Sequence, residues 1–304
     1  MIARHEADDH RRRRGRRPPV NRHARRGRPK DPLAALRAQL AAGKGVSFSF
    51  RMYGESALLT QTGRLQFGKK GIAASDVTGK LATGDDKPAD DFGGGDEPNG
   101  LAAAMGKPER TIRIGRTSYV SGGPMSAGLP DGKTWFKQSP GWTSGMTSMF
   151  GGFVNAADPS TLKVLLARSK RSGSAYKGSM SVKDLLKASD WSRATMWWKL
   201  DSSVKVNWTL AVGSSGLPVK LTTRLESAKA GVSKTAMEMR YTRWGTKVSI
   251  KAPPASTVTT KLDPDKSTLQ LPRRPSADHD PTPGDRLVRR AAARPAPDRS
   301  PWAP

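Results

Sequence analysis

Three stretches of the sequence alternate apolar and polar residues with a strict period of two. They run from Val46 to Met52, from Val204 to Val212 and from Met237 to Tyr241. Because successive side chains of a β-strand point to opposite faces, each stretch predicts a strand with one apolar face. The pattern favours an antiparallel sheet whose apolar face is buried, since strands of a parallel sheet carry continuous apolar runs.

Weaker patterns predict further strands, which glycine-containing turns separate. These strands are predicted over 58–67, 71–81, 111–114, 117–120, 135–136, 196–200 and 217–225. From Met237 to Ile250 we expect a strand, a break at Gly245 and a second strand that closes the sheet. The two prolines at 253 and 254 end this pair because proline cannot donate to a strand ladder.

Helix-start signals occur at three places. Asp31 and Asp158 each precede a proline, and an apolar stripe follows both of them. An aspartate N-cap followed by proline in the first turn is typical of a helix start. The first helix is predicted over 32–42. Ser181, with an acid three residues later, resembles a capping box that opens a helix over 182–188. The predicted fold class is α+β: a large curved antiparallel sheet with a few short helices on one side.

Composition divides the chain of 304 residues into three parts. Residues 1–31 form an arginine-rich arm, and residues 263–304 are rich in Pro, Arg, Ala and Asp. Neither segment holds enough apolar surface to offset the entropy of ordering it, so we expect both to be disordered. The region 32–262 is long enough for one domain, with a flexible Gly/Asp-rich loop over 83–109.

The absence of two residue types restricts the chemistry of the domain. The sequence has no cysteine, and its four histidines all lie in the predicted arms. Catalysis by a Ser-His-Asp or Cys-His pair, and zinc bound by His or Cys, are therefore excluded for 32–262. Chemistry by carboxylate, Lys or Tyr stays open. Asp201 and Glu226 are the candidate carboxylates, with salt bridges as the simpler interpretation. We expect no enzyme activity, no cofactor and no metal site.

Positive charge extends over the whole chain. The formal net charge is +27, and residues 32–262 carry 33 basic and 16 acidic side chains. Such a surface favours anionic partners: a membrane surface, a wall polymer or nucleic acid. Nucleic acid is the weaker candidate, because only an Arg-Gly-Arg-Pro segment at 26–29 resembles a DNA-binding element. No apolar run is long enough for a transmembrane helix.

The apolar strand faces allow two interpretations. Helices that cover the sheet fully would make them a solid core. The predicted helices are short, so the remaining space could instead form a cavity for an apolar ligand. The residues predicted to line that cavity are Phe48, Phe50, Met52, Leu162, Leu165, Leu166, Leu185, Leu186, Trp208, Leu210, Met237 and Met239.

Several blocks between about 110 and 258 resemble one family in order and spacing. The blocks are Gly-Lys-Thr-Trp-Phe-Lys (132–137), Asp-Pro-Ser-Thr-Leu-Lys-Val-Leu-Leu (158–166), Val-Asn-Trp-Thr-Leu-Ala-Val-Gly (206–213), Gly-Leu-Pro-Val-Lys-Leu (216–221) and Tyr-Thr-Arg-Trp-Gly-Thr-Lys-Val-Ser-Ile-Lys-Ala-Pro-Pro (241–254). They look like the actinobacterial envelope lipoproteins related to LppX and LprG.

This resemblance implies a LolA-like half-barrel, in which helices on the concave side of the sheet close an apolar pocket for acyl chains. It further implies a non-enzymatic protein, expected to be a monomer, that binds or carries lipid or lipoglycan in the cell envelope. The alternatives are a nucleic-acid-binding protein that uses the basic arm, and a wall-associated module with a solid core.

The sequence departs from the family at its start. Family members begin with a signal peptide and a lipobox cysteine, and here arginine-rich sequence stands in that place. Either the chain is a divergent cytosolic member or its first thirty residues are not the natural start. We expect an envelope location on the resemblance, and a cytosolic one if the given start is real.

Overall fold

Two meanders of antiparallel strands share one sheet in this protein. The structure, a computed structural model, describes residues 31–53, 57–83, 104, 106–141, 143, 145, 152–196, 204–226 and 236–263. Its strands are β1 (Lys44–Tyr53), β2 (Ala57–Gly68), β3 (Gly71–Thr83), β4 (Glu109–Ile114), β5 (Thr117–Gly122), β6 (Trp135–Gln138), β7 (Ser169–Ser172), β8 (Ala175–Ser181), β9 (Lys205–Val212), β10 (Pro218–Glu226), β11 (Ala236–Lys247) and β12 (Val258–Thr259). Its helices are α1 (Pro32–Arg37), α2 (Pro159–Ala167), α3 (Val182–Ala188) and α4 (Asp190–Thr195), and two 3-10 turns cover Gly123–Gly128 and Ala255–Thr257.

The twelve described strands lie in the order β12-β6-β5-β4-β3-β2-β1-β11-β10-β9-β8-β7. Strands β1 to β6 are neighbours in sequence order, and so are β7 to β11. Pairing of β1 with β11 joins the two meanders in the middle of the sheet. Only the short β12 runs parallel to its neighbour among these strands. Because β12 and β7 are edges, the sheet is open.

One face of the sheet, here called the inner face, lies against the helices. Around the central strand, Phe50 pairs with Met239 on β11 and with Gln61 on β2, so these side chains share that face. Residues of β1 alternate between buried inner positions and exposed outer positions. A single hydrophobic cluster contains Leu36 of α1, Leu162 of α2 and inner-face residues of seven neighbouring strands. In their order across the sheet, these strands are β3, β2, β1, β11, β10, β9 and β8. The helices therefore cover the central part of the inner face.

The predicted fold class is confirmed: a large, mostly antiparallel sheet with a few short helices. The helix starts are confirmed as well. Asp31, Asp158 and Ser181 are N-caps whose side chains accept hydrogen bonds from backbone N–H groups of the first turn. The predicted length of the first helix was wrong: α1 ends at Arg37, and its chain continues in turns in which the N–H of Leu40 bonds to the carbonyl of Arg37.

The predicted break and closing strand after Gly245 were also wrong. β11 continues to Lys247 as one strand, and Val248 to Ile250 form no strand. Its register against β1 shifts between Gly45 and Ser47, which marks a β-bulge. The bulge absorbs the residues around Gly245, which has a positive φ of 74°. β11 also lies in the middle of the sheet, because it pairs with both β1 and β10.

Other elements were not predicted at all. The β7–β8 hairpin, α4 and β12 carry no strong periodicity in the sequence. The predicted strand over 196–200 falls almost entirely outside the described residues, as do both arms and most of the predicted loop over 83–109. The ends of that loop range, Thr83 and Glu109, belong to β3 and β4. The three-part division of the chain stays a prediction.

Candidate functional site

The twelve residues predicted to line a cavity belong to, or pack against, one hydrophobic cluster. Seven of them lie on the inner face of β1, β9 and β11, and the other five lie on α2 and α3. Ten are buried, whereas Leu166 and Leu186 are partly buried at the edge of the cluster. The structure thus brings the predicted residues together. That they contact a ligand stays a prediction.

Sheet register explains why the strand residues meet. Phe50 lies opposite Met239, and Met52 lies opposite Met237, in successive inner-face pairs of the β1–β11 ladder. Trp208 lies opposite Gly178, and its indole N–H donates to Ser169 Oγ at 3.0 Å. The missing side chain at Gly178 makes room for the indole ring, which covers that position. The centre of the inner face therefore consists mainly of Phe, Met, Leu and Trp, with Gln61 and Thr223 as buried polar members of the same face.

A row of polar side chains crosses the inner face from β3 to β6, beside buried apolar residues such as Val77 and Val120. Ser75, Arg113, Ser118 and Gln138 form one row across these four strands by register. The side-chain oxygens of Ser75, Ser118 and Gln138 are buried without a hydrogen-bond partner in the part of the chain that the structure describes. Glu109, one per cent exposed, lies on the same face of β4. Buried polar atoms without partners are rare in proteins, so the three oxygens of this row retain unused hydrogen-bonding capacity.

A network of hydroxyl groups fixes the helices over the inner face. Asp158 Oδ2 accepts from the backbone N–H of Thr161 at 2.9 Å and from its hydroxyl at 2.8 Å. Thr161 Oγ1 in turn bonds to Ser189 Oγ, the N-cap of α4. Ser192 Oγ donates to the carbonyl of Phe153 at 2.7 Å. These hydroxyls are fully buried, so they hold α2 and α4 together and are not accessible to a substrate.

The opposite, outer face carries a cluster of charged side chains on β2, β3 and β4. Asp76 accepts from Arg64 Nη2 at 2.9 Å and from Arg110 through Nε at 2.9 Å and Nη2 at 3.1 Å. Burial alone would raise the pKa of Asp76, but hydrogen bonds from Arg110 and Arg64 outweigh it and hold the pKa below its ordinary value. The guanidinium of Arg110 also lies over the ring of Trp135, 5.7 Å from its centroid.

Arg243 reaches this cluster from the bulge of β11. Among the residues that the structure describes, Arg243 is the one non-glycine residue with a positive φ, which is 55°. The next residue, Trp244, points to the other side, where it stacks on Phe67 at 6.0 Å and donates to the carbonyl of Pro218 at 2.9 Å. An open cavity of about 650 Å³ lies between the charged groups. Its lining residues are Ser47, Phe48, Thr62, Gly63, Arg64, Asp76, Thr78, Arg110 and Arg243.

Sequence reasoning missed two groups of residues. The polar row is Ser75, Arg113, Ser118 and Gln138, and the arginine cluster is Arg64, Arg110 and Arg243 around Asp76. Arg64 and Asp76 lie in predicted strands and Arg110 lies one residue before a third, but the sequence does not show which face of that third strand is outward. The pairing of β3 with β4 brings them together, and the sequence does not show that pairing. Of the two candidate carboxylates, Glu226 accepts from Asn207 Nδ2 at 2.9 Å, and Asp201 lies outside the described residues.

Within the described ranges, no three His, Cys, Asp or Glu side chains are close enough to hold a metal ion together. The same ranges include no helix that is long and apolar enough to cross a membrane.

Comparisons with known proteins give only distant similarities. No protein-family model matches the sequence, and no curated protein matches it significantly. The crystal structure of the Mycobacterium tuberculosis lipoprotein LppX matches at 11% identity over 72% of this chain and 98% of that one, with a TM-score of 0.33. A porin-like protein from Bacteroides uniformis matches at 9% identity over 66% and 96% of the two chains, with a TM-score of 0.22. At these values neither likeness identifies a function, and membership of the LppX/LprG family stays a prediction.

Proposed function

We propose that this protein binds the acyl chains of a lipid or lipoglycan between the inner face of the sheet and helices α1 to α4. The observation that supports the proposal is the division of that face into two parts. The inner face is mainly apolar from β3 across β2 and β1 to β9, and the polar row crosses the same face from β3 to β6. A lipid has the same division, with apolar chains and a polar headgroup.

The apolar part of the face suits a flexible guest. Met52, Met237 and Met239 lie next to each other across the β1–β11 ladder, and methionine side chains can rearrange around irregular apolar shapes. Each methylene of an acyl chain that leaves water for this surface contributes about 0.8 kcal/mol. A chain of ordinary length would therefore be held mainly by burial, with little need for polar contacts along it.

The polar row offers partners for the headgroup or for the carbonyl groups that join it to the chains. The hydroxyls of Ser75 and Ser118 can both donate and accept, and the side-chain oxygen of Gln138 can accept. In the described structure these atoms have no hydrogen-bond partner. A ligand that supplied partners would remove the cost of leaving them unpaired, which is about 1–3 kcal/mol for each group.

The proposal makes the protein a non-enzymatic carrier or store that acts as a monomer in the cell envelope. The envelope location and the monomeric state come from the sequence resemblance. A wall-associated module with a solid core would bury the same twelve side chains. The two functions differ in one respect that can be measured directly: only the first requires bound lipid.

The decisive experiment is organic extraction and mass spectrometry of the full chain purified without detergent. A lipid recovered in about stoichiometric amount would support the proposal. Recovery from an actinobacterial host should exceed recovery from an unrelated host, since the lipid supply differs. A folded protein that yields no lipid from either host, and that binds no fluorescent fatty acid, would contradict the proposal and favour the solid core.

A matched pair of variants locates the bound lipid. Met239→Phe adds volume at the centre of the inner face, whereas Val219→Phe adds aromatic volume at a position that is 40% exposed. We expect the first to lower affinity for a fluorescent fatty acid about tenfold and the second to change it less than about twofold. Equal effects of the two variants would place any lipid elsewhere. Urea unfolding of both variants shows whether each is folded before binding is compared.

A further inference from the structure

The arginine cluster lies on the outer face and is not part of the proposed acyl-chain site. We propose that Arg64, Arg110 and Arg243 form a binding site for a phosphate group, carried by a small ester or by a lipid headgroup. The site lies on the face of the sheet opposite the proposed acyl-chain site, so the two sites can be tested separately.

Asp76 gives the site its geometry. Its carboxylate is shared by two guanidinium groups, one on each neighbouring strand, so the three side chains retain one net positive charge. Asp76 uses one N–H donor of Arg64 and two of Arg110, and a guanidinium group has five. Both arginine side chains are about half exposed, at 54% and 47%. The carboxylate therefore orients two guanidinium groups while most of their donors stay available to an anion.

Arg243 completes the site with a second positive charge. It makes no ion pair with any residue that the structure describes, and it lines the same cavity as Arg64 and Arg110. Its backbone conformation is unfavourable for a residue with a side chain, and such conformations occur where the surrounding structure imposes them, commonly at functional sites. Here the stacking and hydrogen bond of Trp244 impose it, because they hold the bulge in place.

The rest of the cavity matches a phosphate ester. Thr62, Thr78 and Ser47 add hydroxyl donors, and Asp76 is the single acidic residue among the lining side chains. Arginine recognises phosphate through paired N–H donors, which makes three arginines around one cavity a suitable arrangement. With a volume of about 650 Å³, the cavity is larger than a phosphate ion needs, so it has room for the group that the phosphate is attached to.

A purely structural interpretation assigns the cluster to cross-strand pairing of β2, β3 and β4. That interpretation explains Arg64 and Arg110, which bond to Asp76, and gives Arg243 no part. Arg243 therefore separates the two interpretations, and its replacement should leave the ion pairs of Asp76 intact.

The test is isothermal titration calorimetry of the full chain with inorganic phosphate and with glycerol 3-phosphate, at constant ionic strength. The variants are Arg243→Gln and Arg243→Gly; the second residue accepts a positive φ, which protects the bulge. Arg224→Gln is the control, because it removes the same charge as Arg243→Gln. Arg224 is exposed on the outer face, close to the C-terminal end of β10 and outside the cavity. We expect both Arg243 variants to weaken binding about tenfold and the control to change it less than about twofold.

Vesicles distinguish the source of the phosphate. Binding to phosphatidylglycerol vesicles, with phosphatidylcholine vesicles as reference, should depend on Arg243 more than on Arg224 if the site takes a lipid headgroup. Dependence on Arg243 for the soluble compounds alone would indicate a free phosphate ester. If neither soluble phosphate nor vesicles bind, or if Arg243 and Arg224 matter equally, the proposal is overturned. Met239→Phe, a substitution on the inner face, should leave phosphate affinity unchanged. Phosphate binding and fatty-acid binding can therefore fail independently of each other.

Discussion

The hydroxyl of Tyr241 on β11 donates a hydrogen bond to the side-chain oxygen of Asn155, at 2.9 Å. It also accepts one from the backbone N–H of Ala156 at 2.8 Å. Both side chains are buried. The residues are 86 positions apart in the sequence, so this contact joins the middle of the sheet to the segment that leads into α2. The segment is thereby held over the inner face.

Replacing Tyr241 by Phe should destabilise the protein by about 1–3 kcal/mol, because Asn155 and the N–H of Ala156 would lose a buried partner without solvent to replace it. Urea unfolding followed by circular dichroism measures the change. Tyr53→Phe is the control, since Tyr53 is 47% exposed and should change stability by less than about 0.5 kcal/mol. A Tyr241→Phe variant as stable as the wild type would show that this contact contributes nothing.

Tyr241 also predicts a pH dependence. Burial raises the pKa of Tyr241, whereas in the unfolded chain a tyrosine ionises with a pKa of about 10. The stability that depends on neutral Tyr241 is therefore complete below about pH 10 and decreases above it, by up to about 1.4 kcal/mol per pH unit. Unfolding curves between pH 8 and 11.5 should show a steeper alkaline decline in the wild type than in Tyr241→Phe. Parallel declines in the two proteins would be inconsistent with a raised pKa.

Asp76 predicts the opposite pH dependence. Burial alone would raise its pKa, but the bonds from Arg110 and Arg64 lower it below the value of about 3.9 for an unfolded chain. Its contribution is therefore complete above that value and is lost as pH falls through the pKa of the folded state. Asp76→Asn should cost about 2 kcal/mol at pH 7 and flatten the decline of stability between pH 5 and 2.

Glu238 provides the comparison for Asp76. Burial tends to raise the pKa of Glu238, but hydrogen bonds from Lys220 and Arg240 lower it overall, as in Asp76. Its two partners are 40% and 59% exposed, so solvent screens the interaction. Glu238→Gln should therefore cost less than about 1 kcal/mol. If both variants lose the same stability, the burial of Asp76 is not what makes its ion pairs matter.

Local signals in the sequence predicted local structure well. The alternation from Val46 to Met52 correctly predicted which side chains of β1 are buried, because a strand with one covered face shows its burial directly in its sequence. Asp158 and Ser181 were recognisable as N-caps because capping depends on the side chain and the next few residues. These features need no information about distant parts of the chain.

Long-range pairing was not predictable in the same way. β1 and β11 are nearly two hundred residues apart, and no local pattern says that they pair in the middle of the sheet. β4 shows a second limit. Its apolar residues Ile112 and Ile114 suggest one inward face, but register with β3 and β5 puts Thr111 and Arg113 on the inner face. The polar row and the arginine cluster both follow from this register, so neither could be predicted.

At Gly178 of β8, a neighbouring side chain and a backbone carbonyl leave no space for a Cβ atom. A Cβ atom at this position would overlap the indole of Trp208 and the carbonyl oxygen of Arg168. Alanine in place of a strand glycine usually gains about 0.5–1 kcal/mol, because the unfolded chain loses freedom. Overpacking in a tight core costs about 1–3 kcal/mol, and we expect it to dominate here. Gly178→Ala should therefore destabilise the protein by about 1–2 kcal/mol in urea unfolding.

Two further variants identify the cause of that loss. Ser179→Ala, at the exposed neighbouring position of β8, should be close to neutral. In a double-mutant cycle, Trp208→Leu removes the ring that a Cβ at position 178 would meet. The two substitutions should then cost less together than the sum of their separate effects, by about 1 kcal/mol. Additive effects would show that the backbone carbonyl of Arg168 is the main obstacle, and that the indole can move aside.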